Sequence, residues 1–568
     1  MFPLAEIRRG MQGVAYTVFE GVNPEPMQVE ILGVLKDSLG PGQDMILARL
    51  HGIKPEFTGV VAGMSGSPVY IDGRLVGALS YRIGQFSKEP IAGITPIEQM
   101  LEVRDGEVRP AAARGAKSNG AEQVSTVALP RVETQQSGAE MQAMETPLIF
   151  SGFSPETVER FGDRFRAMGL TPVAGLGGAD SKATQPEPLV PGSAVSAILV
   201  RGDLSVAGTC TVTYVDPTRL LACGHPITQY GPVDMPMTKA AVIATLPSPL
   251  NAFKIVNTTE TVGAFTEDRA SAVMGRFGAK ARMIPVTLEV AQPMTAPATT
   301  PRTKTFHFEV LDNRQLTPSA MLVSIYQSLQ STNAAAAEMS YRLTGEMTIE
   351  GQPAIRMAGM VAQSDLNPAA INAALFINDR FSRVYGNALE QPVITGLKLK
   401  VEGLPERRTA VIESARLNAL EAHAGDTVDI EATLDPYQAA ARVVRLKFKL
   451  PADLGPGPVR VLVSDGSSVD KLSAGQGPQR SVGLADTVSQ INRLHSNDRI
   501  YVTLLNKTTQ VVLDGETLPG LPLSMANVLA PLKDAQRIHL SGESLVEATS
   551  VETEYVVSGS QVLNLLIR

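Results

Sequence analysis

The sequence predicts a mainly β protein in which small antiparallel barrels precede a β-sandwich, and three observations lead to this class. The chain of 568 residues contains 49 glycines and 39 prolines, which favours many turns and short strands. Short runs rich in Val, Ile and Tyr alternate with turn residues over 1–104 and again from 193. Longer strands with alternating apolar and polar residues begin at about 395.

The first segment, 1–104, has the pattern of a small antiparallel barrel. Glycine, proline and Asp-Gly turns separate its apolar runs, and Asp72-Gly73 lies between VYI and RLVGALSY, which is a strong hairpin signal. A short helix over 97–103 ends the segment. Most of 105–190 is small and polar, but 154–168 begins with Ser-Pro and is apolar at helical spacing. We therefore predict a linker with one helix over 105–190.

The rest of the chain divides into three predicted parts. Over 191–312 the strand pattern resumes, and the turn at 216–219 (DPTR) joins TCTVTYV to RLLACG as a hairpin of a second barrel. Helical and strand patterns mix over 313–394, which predicts a small α/β segment. The alternating strands of 395–568 predict a β-sandwich with a helical insertion.

Composition excludes several classes of function. A net charge of −7 leaves no basic surface for nucleic acid, and no apolar run is long enough to span a bilayer. Two cysteines and six scattered histidines predict no metal site, and we expect no cofactor. The expected partner is a protein or peptide substrate, and the oligomeric state is left open.

The sharpest local signal is the segment 63–68 (GMSGSP). Gly63 and Gly66 give the backbone freedom around Ser65, so that the chain can turn tightly, present the hydroxyl and direct backbone N–H groups to one point. Gly-x-Ser-Gly-x-Pro is also the nucleophile turn of chymotrypsin-like peptidases. Taken alone, the segment is equally compatible with a plain turn.

A nucleophilic serine needs a base, which is usually histidine. His225 stands between glycine and proline at the end of the strand RLLACG, directly after a hairpin. His51, 14 residues before Ser65 at the end of another strand, is the rival base. Both histidines also fit an ordinary core or surface position.

At these residues the chain resembles the SpoIVB-type serine peptidases of the chymotrypsin-like clan. The resemblance covers about 1–104 and 190–295, and it implies a double β-barrel with Ser65 as nucleophile and His225 as base. It also implies an oxyanion hole formed by the N–H groups of Gly63 and Ser65. By analogy with the peptidase fold, Ser80 and Tyr81 would pair with the substrate backbone. The matching segments are 59–68 (GVVAGMSGSP), 199–204 (LVRGDL), 208–216 (GTCTVTYVD) and 224–227 (GHPI).

Two features depart from that family. Ser65 precedes His225 by 160 residues, so the two halves are circularly permuted, although a triad depends on geometry and not on chain order. The position of the family's acid falls on Leu50.

Asp268 is the best replacement for that acid, because chymotrypsin-like enzymes have their aspartate at a similar distance beyond the histidine. Asp216, Asp234 and Asp44 are weaker candidates for the acid. A salt bridge with Arg269 is the structural alternative for Asp268, and a Ser–His dyad without an acid stays open.

Cys210 and Cys223 fall on opposite strands of the hairpin that leads to His225. Their cross-strand proximity predicts a disulfide, which would imply an oxidising compartment; a reduced buried pair is the alternative. The first residues lack the profile of a signal peptide. We therefore expect an extracytoplasmic protein whose signal peptide is absent from this chain.

Together these features predict a serine endopeptidase that acts through an acyl-enzyme. Two other hypotheses stay open. The missing acid at Leu50 and the large C-terminal sandwich favour a catalytically inactive envelope or scaffold protein with a peptidase fold. Self-cleavage alone, with the connection 105–190 as substrate, is the third.

Overall fold

The computed structural model is mainly β, with 50% of the residues in strands and 18% in helices. The chain forms two compact units, Met1–Met283 with Phe308–Leu316, and Ile284–His307 with Thr317–Arg568. The structure describes residues 1–83, 89–103, 141–144, 146–175, 183–228, 231–248, 252–291, 302–332, 338–387, 389–474, 483–506, 509–513, 516–522, 524–525, 527–529, 538–541 and 544–568.

Strands are the main regular structure of the first unit, and they form two sheets. Its helices are short. The elements are β1 (Gln12–Thr17), β2 (Glu25–Leu35), β3 (Met45–His51), α1 (Ile53–Thr58), β4 (Pro68–Ile71), β5 (Arg74–Ile83), β6 (Ile91–Pro96), α2 (Ile97–Leu101), β7 (Met141–Ala143), β8 (Pro147–Ser151), α3 (Pro155–Arg166), β9 (Thr171–Ala174), β10 (Ala194–Gly202), β11 (Ser205–Val215), β12 (Arg219–Ala222), β13 (Gly231–Leu246), β14 (Phe253–Arg269) and β15 (Ala272–Phe277).

The sheet that carries the serine turn closes into a six-stranded barrel. Its strand order is β4-β1-β2-β3-β6-β5, and β4 pairs again with β5 to complete the ring. Alternating apolar residues of these strands, among them Val29, Ile46 and Leu50, fill the interior. This confirms a barrel in the first segment. We name it the serine barrel.

A second curved sheet carries the histidine. Within the first unit its strand order is β10-β13-β14-β15-β12-β11-β8-β9, and β10 also pairs with β11. Apolar side chains from the serine barrel and from this sheet share one buried cluster, in which Ala78 and Met100 join Leu221 and Met274. Because apolar burial is the main stabilising force, this cluster holds the two sheets together.

The connection between the two sheets contains more structure than the sequence predicts. Residues 104–140, which contain the first part of the expected linker, lie outside the described residues. The predicted helix is confirmed as α3, and the hydroxyl of Ser154 caps it by accepting the N–H of Thr157 at 3.2 Å. Strands β7, β8 and β9 also lie in this connection. Strands of three to five residues show no periodicity in a sequence, which is why the linker prediction misses them.

The second unit combines helices with several sheets. Two of its sheets, β25-β24-β22-β32 and β23-β33-β26-β27-β31, contribute to one buried apolar cluster that includes Ile430, Phe448 and Val502. The chain passes between the units within β16 (Met283–Ala291) and β17 (Thr303–Leu311). The further elements are α4 (Thr317–Gln330), β18 (Ser340–Ile349), β19 (Ile355–Arg356), β20 (Gly359–Ala362), α5 (Ala369–Tyr385), β21 (Ile394–Leu404), β22 (Thr409–Leu417), β23 (Glu421–Ala422), β24 (Thr427–Pro436), β25 (Arg442–Lys449), β26 (Gly457–Ser464), α6 (Gly466–Ala474), α7 (Leu484–Arg493), β27 (Arg499–Asn506), β28 (Thr509–Leu513), β29 (Glu516–Leu521), β30 (Ile538–Ser541), β31 (Ser544–Glu552), β32 (Val556–Ser558) and β33 (Ser560–Ile567).

Among the described residues, none of the helices has both the length and the apolar character needed to cross a membrane.

Candidate active site

The serine turn packs directly against the hairpin that leads to His225. Gly66 has a φ of +95°, and a Cβ atom at this position would lie 1.9 Å from the carbonyl oxygen of Thr211 and 2.5 Å from the backbone nitrogen of Cys223. Only glycine fits both the backbone angle and the space. The fold therefore brings the Ser65 and His225 segments together, although 160 residues separate them in the chain.

Strand β11 anchors the serine turn with three hydrogen bonds. The N–H of Thr211 donates to the carbonyl oxygen of Ser65 at 2.7 Å, and the Thr211 hydroxyl donates to that of Gly63 at 2.9 Å. The Thr213 hydroxyl donates to the Gly66 carbonyl at 2.7 Å. Sequence reasoning missed both threonines, because threonine at alternate strand positions also indicates a solvent-facing side.

Gly63 and Ser65 carry the two backbone donors that are expected from the sequence to form an oxyanion hole. The neighbouring N–H groups of Met64 and Gly66 donate to Val61 and Leu79. In the part of the chain that the structure describes, the N–H groups of Gly63 and Ser65 make no hydrogen bond. An oxyanion hole requires backbone donors that no other group of the protein uses.

The reactive atoms of both predicted residues are buried and unpartnered. Ser65 is 0% exposed and His225 is 2% exposed. Within the described residues, neither the Ser65 Oγ nor the His225 Nε2 has a hydrogen-bond partner, so the two atoms do not bond to each other. The adjacent Ser67 differs, because its hydroxyl donates to the Met64 carbonyl at 2.6 Å. Catalytic hydrogen bonds commonly form only once substrate is bound.

The hydrogen bond of the imidazole determines which nitrogen can act as base. His225 Nδ1 lies 2.8 Å from the carbonyl oxygen of Pro226. A carbonyl can only accept, so Nδ1 carries the proton in the neutral ring and Nε2 keeps its lone pair. Burial lowers the pKa of His225 below 6.5, while the Pro226 hydrogen bond and the charge of Asp268 act against that shift. The ring is therefore a neutral base at pH 7.

Asp268 holds the loop that follows the histidine. Its Oδ1 accepts the N–H of Ile227 at 2.9 Å, and its Oδ2 accepts the N–H and the hydroxyl of Thr228, each at 2.6 Å. Because the Pro226 carbonyl already fixes the tautomer of His225, the contacts of Asp268 serve to position the loop that follows the histidine. Its buried negative charge favours the imidazolium that forms when His225 takes a proton.

The weaker candidates occupy ordinary structural positions. Asp216 accepts the N–H groups of Thr218 and Arg219 and so caps the hairpin turn. Asp234 accepts the N–H of Arg282, and Asp44 accepts that of Asp37.

The rival histidine is also accounted for by its neighbours. His51 is partly exposed on β3, with its Nε2 3.2 Å from a carboxylate oxygen of Glu30 and its Nδ1 3.6 Å from one of Glu56. Leu50 beside it is buried in the serine barrel. Neither position supplies a group to the serine turn through a contact that the described structure shows.

A disulfide fixes the approach to the histidine. It joins Cys210 on β11 to Cys223. At the next residue, Gly224, a Cβ atom would lie 2.0 Å from Ser80 Oγ. The carbonyl oxygen of Gly224 accepts a hydrogen bond from the Thr95 hydroxyl at 2.7 Å. Ser80 on β5 therefore lies beside the residue that precedes His225.

Lys254 is a buried titratable group that the sequence did not single out. It is 1% exposed, and its Nζ donates to the hydroxyl of Thr17 at 2.7 Å. Its aliphatic stem would lie 3.3 Å from a Cβ on Gly63. Burial lowers its pKa to about 7, which makes it the second nitrogen base beside the turn. A lone lysine in an alternating strand is normally solvent-facing, so its burial has no signal in the sequence.

No family model, no curated protein and no solved structure matches this chain.

Replacing Lys254 with methionine should remove a pH dependence of stability. Unfolding raises the pKa of Lys254 from about 7 to its ordinary 10.5. At pH values between these two pKa values the unfolded chain binds more protons than the folded chain, so the stability of the wild type rises with pH. The rise should be on the order of 3–4 kcal/mol between pH 7 and 10 and should be absent in Lys254→Met. Thermal unfolding across this range measures it, with Lys239→Met as the control. Equal pH slopes in wild type and Lys254→Met would contradict the assignment.

Proposed function

We propose that the protein is a serine endopeptidase of the SpoIVB type with its two halves in permuted order. One observation carries the proposal: the serine turn packs against the histidine hairpin, and Ser65 Oγ and His225 Nε2 are both buried without a hydrogen-bond partner among the described residues. A buried polar atom without a partner destabilises the fold, and a catalytic role is one reason for a protein to retain it. The proposed substrate is a protein or peptide, and the chemistry needs no cofactor.

A chymotrypsin-like double barrel is the fold that we propose for this core. The closed serine barrel supplies one half. In the histidine sheet, the pairings β10-β13-β14-β15-β12-β11 and back to β10 trace a second ring of six strands, which supports the other half. The turn of one half and the hairpin of the other meet at Gly66, as a catalytic site between two barrels requires.

In the proposed mechanism, Ser65 Oγ attacks the carbonyl carbon of the peptide bond while His225 Nε2 takes the hydroxyl proton. The N–H groups of Gly63 and Ser65 stabilise the oxyanion, and Asp268 stabilises the imidazolium by its charge. His225 then gives the proton to the departing amine, which leaves an acyl-enzyme on Ser65. Water, activated by the same Nε2, releases the second product.

The Cys210–Cys223 disulfide supports an extracytoplasmic location, because disulfides persist in oxidising compartments.

An inactive scaffold with a peptidase fold is the second candidate function. Leu50 at the family's acid position and the missing Ser65–His225 hydrogen bond favour it.

Labelling with a fluorophosphonate distinguishes the enzyme from the scaffold. We expect the probe to modify wild type at Ser65, because His225 activates that hydroxyl, and to leave Ser65→Ala and His225→Ala unmodified. Ser67→Ala is the matched control for a nearby buried serine, and Lys254→Met should keep its labelling. Loss of labelling in Lys254→Met but not in His225→Ala would make lysine the base. No labelling of any form would support the scaffold.

Mass spectrometry of wild type and Ser65→Ala tests self-cleavage.

The pH dependence of this labelling reports the titration of His225. Because the base must be neutral, the rate should rise with pH through a midpoint below 6.5. Asp268→Asn removes a charge that raises the pKa of His225, so the midpoint of the labelling rate should move to lower pH in this variant. The plateau rate should also fall, by roughly tenfold to a hundredfold. Asp216→Asn, which changes only the hairpin turn, should keep the wild-type profile. A midpoint that moves upward in Asp268→Asn would contradict the electrostatic account.

A further inference from the structure

The edge of the serine barrel that faces a substrate is occupied by the chain itself. Strand β7 pairs antiparallel with β5, with Ala143 opposite Tyr81 and Met141 opposite Ile83. The N–H of Met144 then donates to the carbonyl oxygen of Ser80 at 2.8 Å. Ser80 and Tyr81 are the residues expected to pair with the substrate backbone.

The hydrogen bonds of β5 place Met144 at the level of the serine turn. The N–H of Gly66 donates to the carbonyl of Leu79 at 2.8 Å, and the N–H of Leu79 donates to that of Ser67 at 2.9 Å. Ser80 follows Leu79 directly, and its hydroxyl lies against Gly224, beside His225. Met144 is therefore hydrogen-bonded to Ser80, which is one residue along β5 from Leu79, the residue whose backbone holds the serine turn.

The side chain of Met144 fills an apolar site next to the nucleophile. It is 1% exposed and belongs to the same buried cluster as Met64, Leu79 and Ala252. Met64 immediately precedes Ser65. An unbranched thioether adapts well to such a site, whereas a carboxylate would lose its hydration without gaining a partner.

Beyond Met144 the chain continues on the other sheet. Thr146 is 5% exposed, and its methyl group would lie 3.3 Å from a Cβ on Gly208. Strand β8 then pairs antiparallel with β11, with Leu148 opposite Gly208. One short segment thus adds a strand first to the serine barrel and then to the histidine sheet, which is the path of an extended peptide through a site shared by both.

We propose that strand β7 and the residue after it, Met144, occupy the place of the substrate along β5 and act as an internal pseudosubstrate. The site would then accept an extended peptide with an unbranched apolar side chain at the position of Met144, and an external substrate would bind only after this segment leaves. The complete burial of Ser65 agrees with an occupied site. The inference rests on the proposed function, because Ser80 and Tyr81 are read as its substrate strand.

Displacing the segment tests this occupancy. In Met144→Asp the carboxylate cannot stay in the apolar cluster, so we expect the fluorophosphonate to label Ser65 at least tenfold faster than in wild type. Met144→Gln, which keeps the shape of the side chain, should give a smaller increase and covers the case in which Met144→Asp fails to fold. Met525→Asp introduces the same change at an exposed methionine and should label at the wild-type rate.

The specificity is measured with the displaced variant. Full-length Met144→Asp, or Met144→Gln if the first does not fold, should cleave acetyl-Met-Gln-Ala-Met-aminomethylcoumarin at least tenfold faster than the same peptide ending in Asp or Val. Equal labelling rates in wild type and both Met144 variants, or equal cleavage of the three peptides, would overturn the pseudosubstrate. Absence of Ser65 labelling in every form would instead overturn the proposed function.

Discussion

The contact between Gly66 and the β11 hairpin is the constraint on which the rest of the site depends. A side chain at Gly66 would overlap the Thr211 carbonyl, so the serine turn can approach the hairpin only because this residue has none. Thr211 and Thr213 then hold the turn through its carbonyl groups, and within the described part of the chain the N–H groups of Gly63 and Ser65 have no acceptor. Close packing and free backbone donors thus arise from the same few contacts.

The electrostatics of the site follow from its burial. Removal from water lowers the pKa of both His225 and Lys254, so these two side chains lose their protons more easily than exposed ones. In the proposed mechanism, Pro226 and Asp268 would share the part that a single acid has in a triad. The backbone carbonyl fixes the tautomer, and the carboxylate fixes the loop and supplies the charge.

The sequence could predict the features that depend on local backbone chemistry. Glycines around Ser65, the DPTR turn and the serine cap of α3 are signalled by residues within a few positions of each other. The burial of Thr211 and Lys254 could not be predicted, because it depends on which strands pack together across more than a hundred residues. Strand β7 was missed for the same reason, since its three residues become a strand only by pairing with β5.

A crystal structure of the protein after reaction with a fluorophosphonate tests the central claim most directly. The account predicts phosphorus bonded to Ser65 Oγ, with one phosphonyl oxygen about 3 Å from the N–H groups of Gly63 and Ser65. His225 Nε2 should lie within hydrogen-bond distance of the adduct. An unmodified Ser65, or an adduct whose oxygen contacts neither N–H group, would contradict the assignment of this site as the catalytic centre.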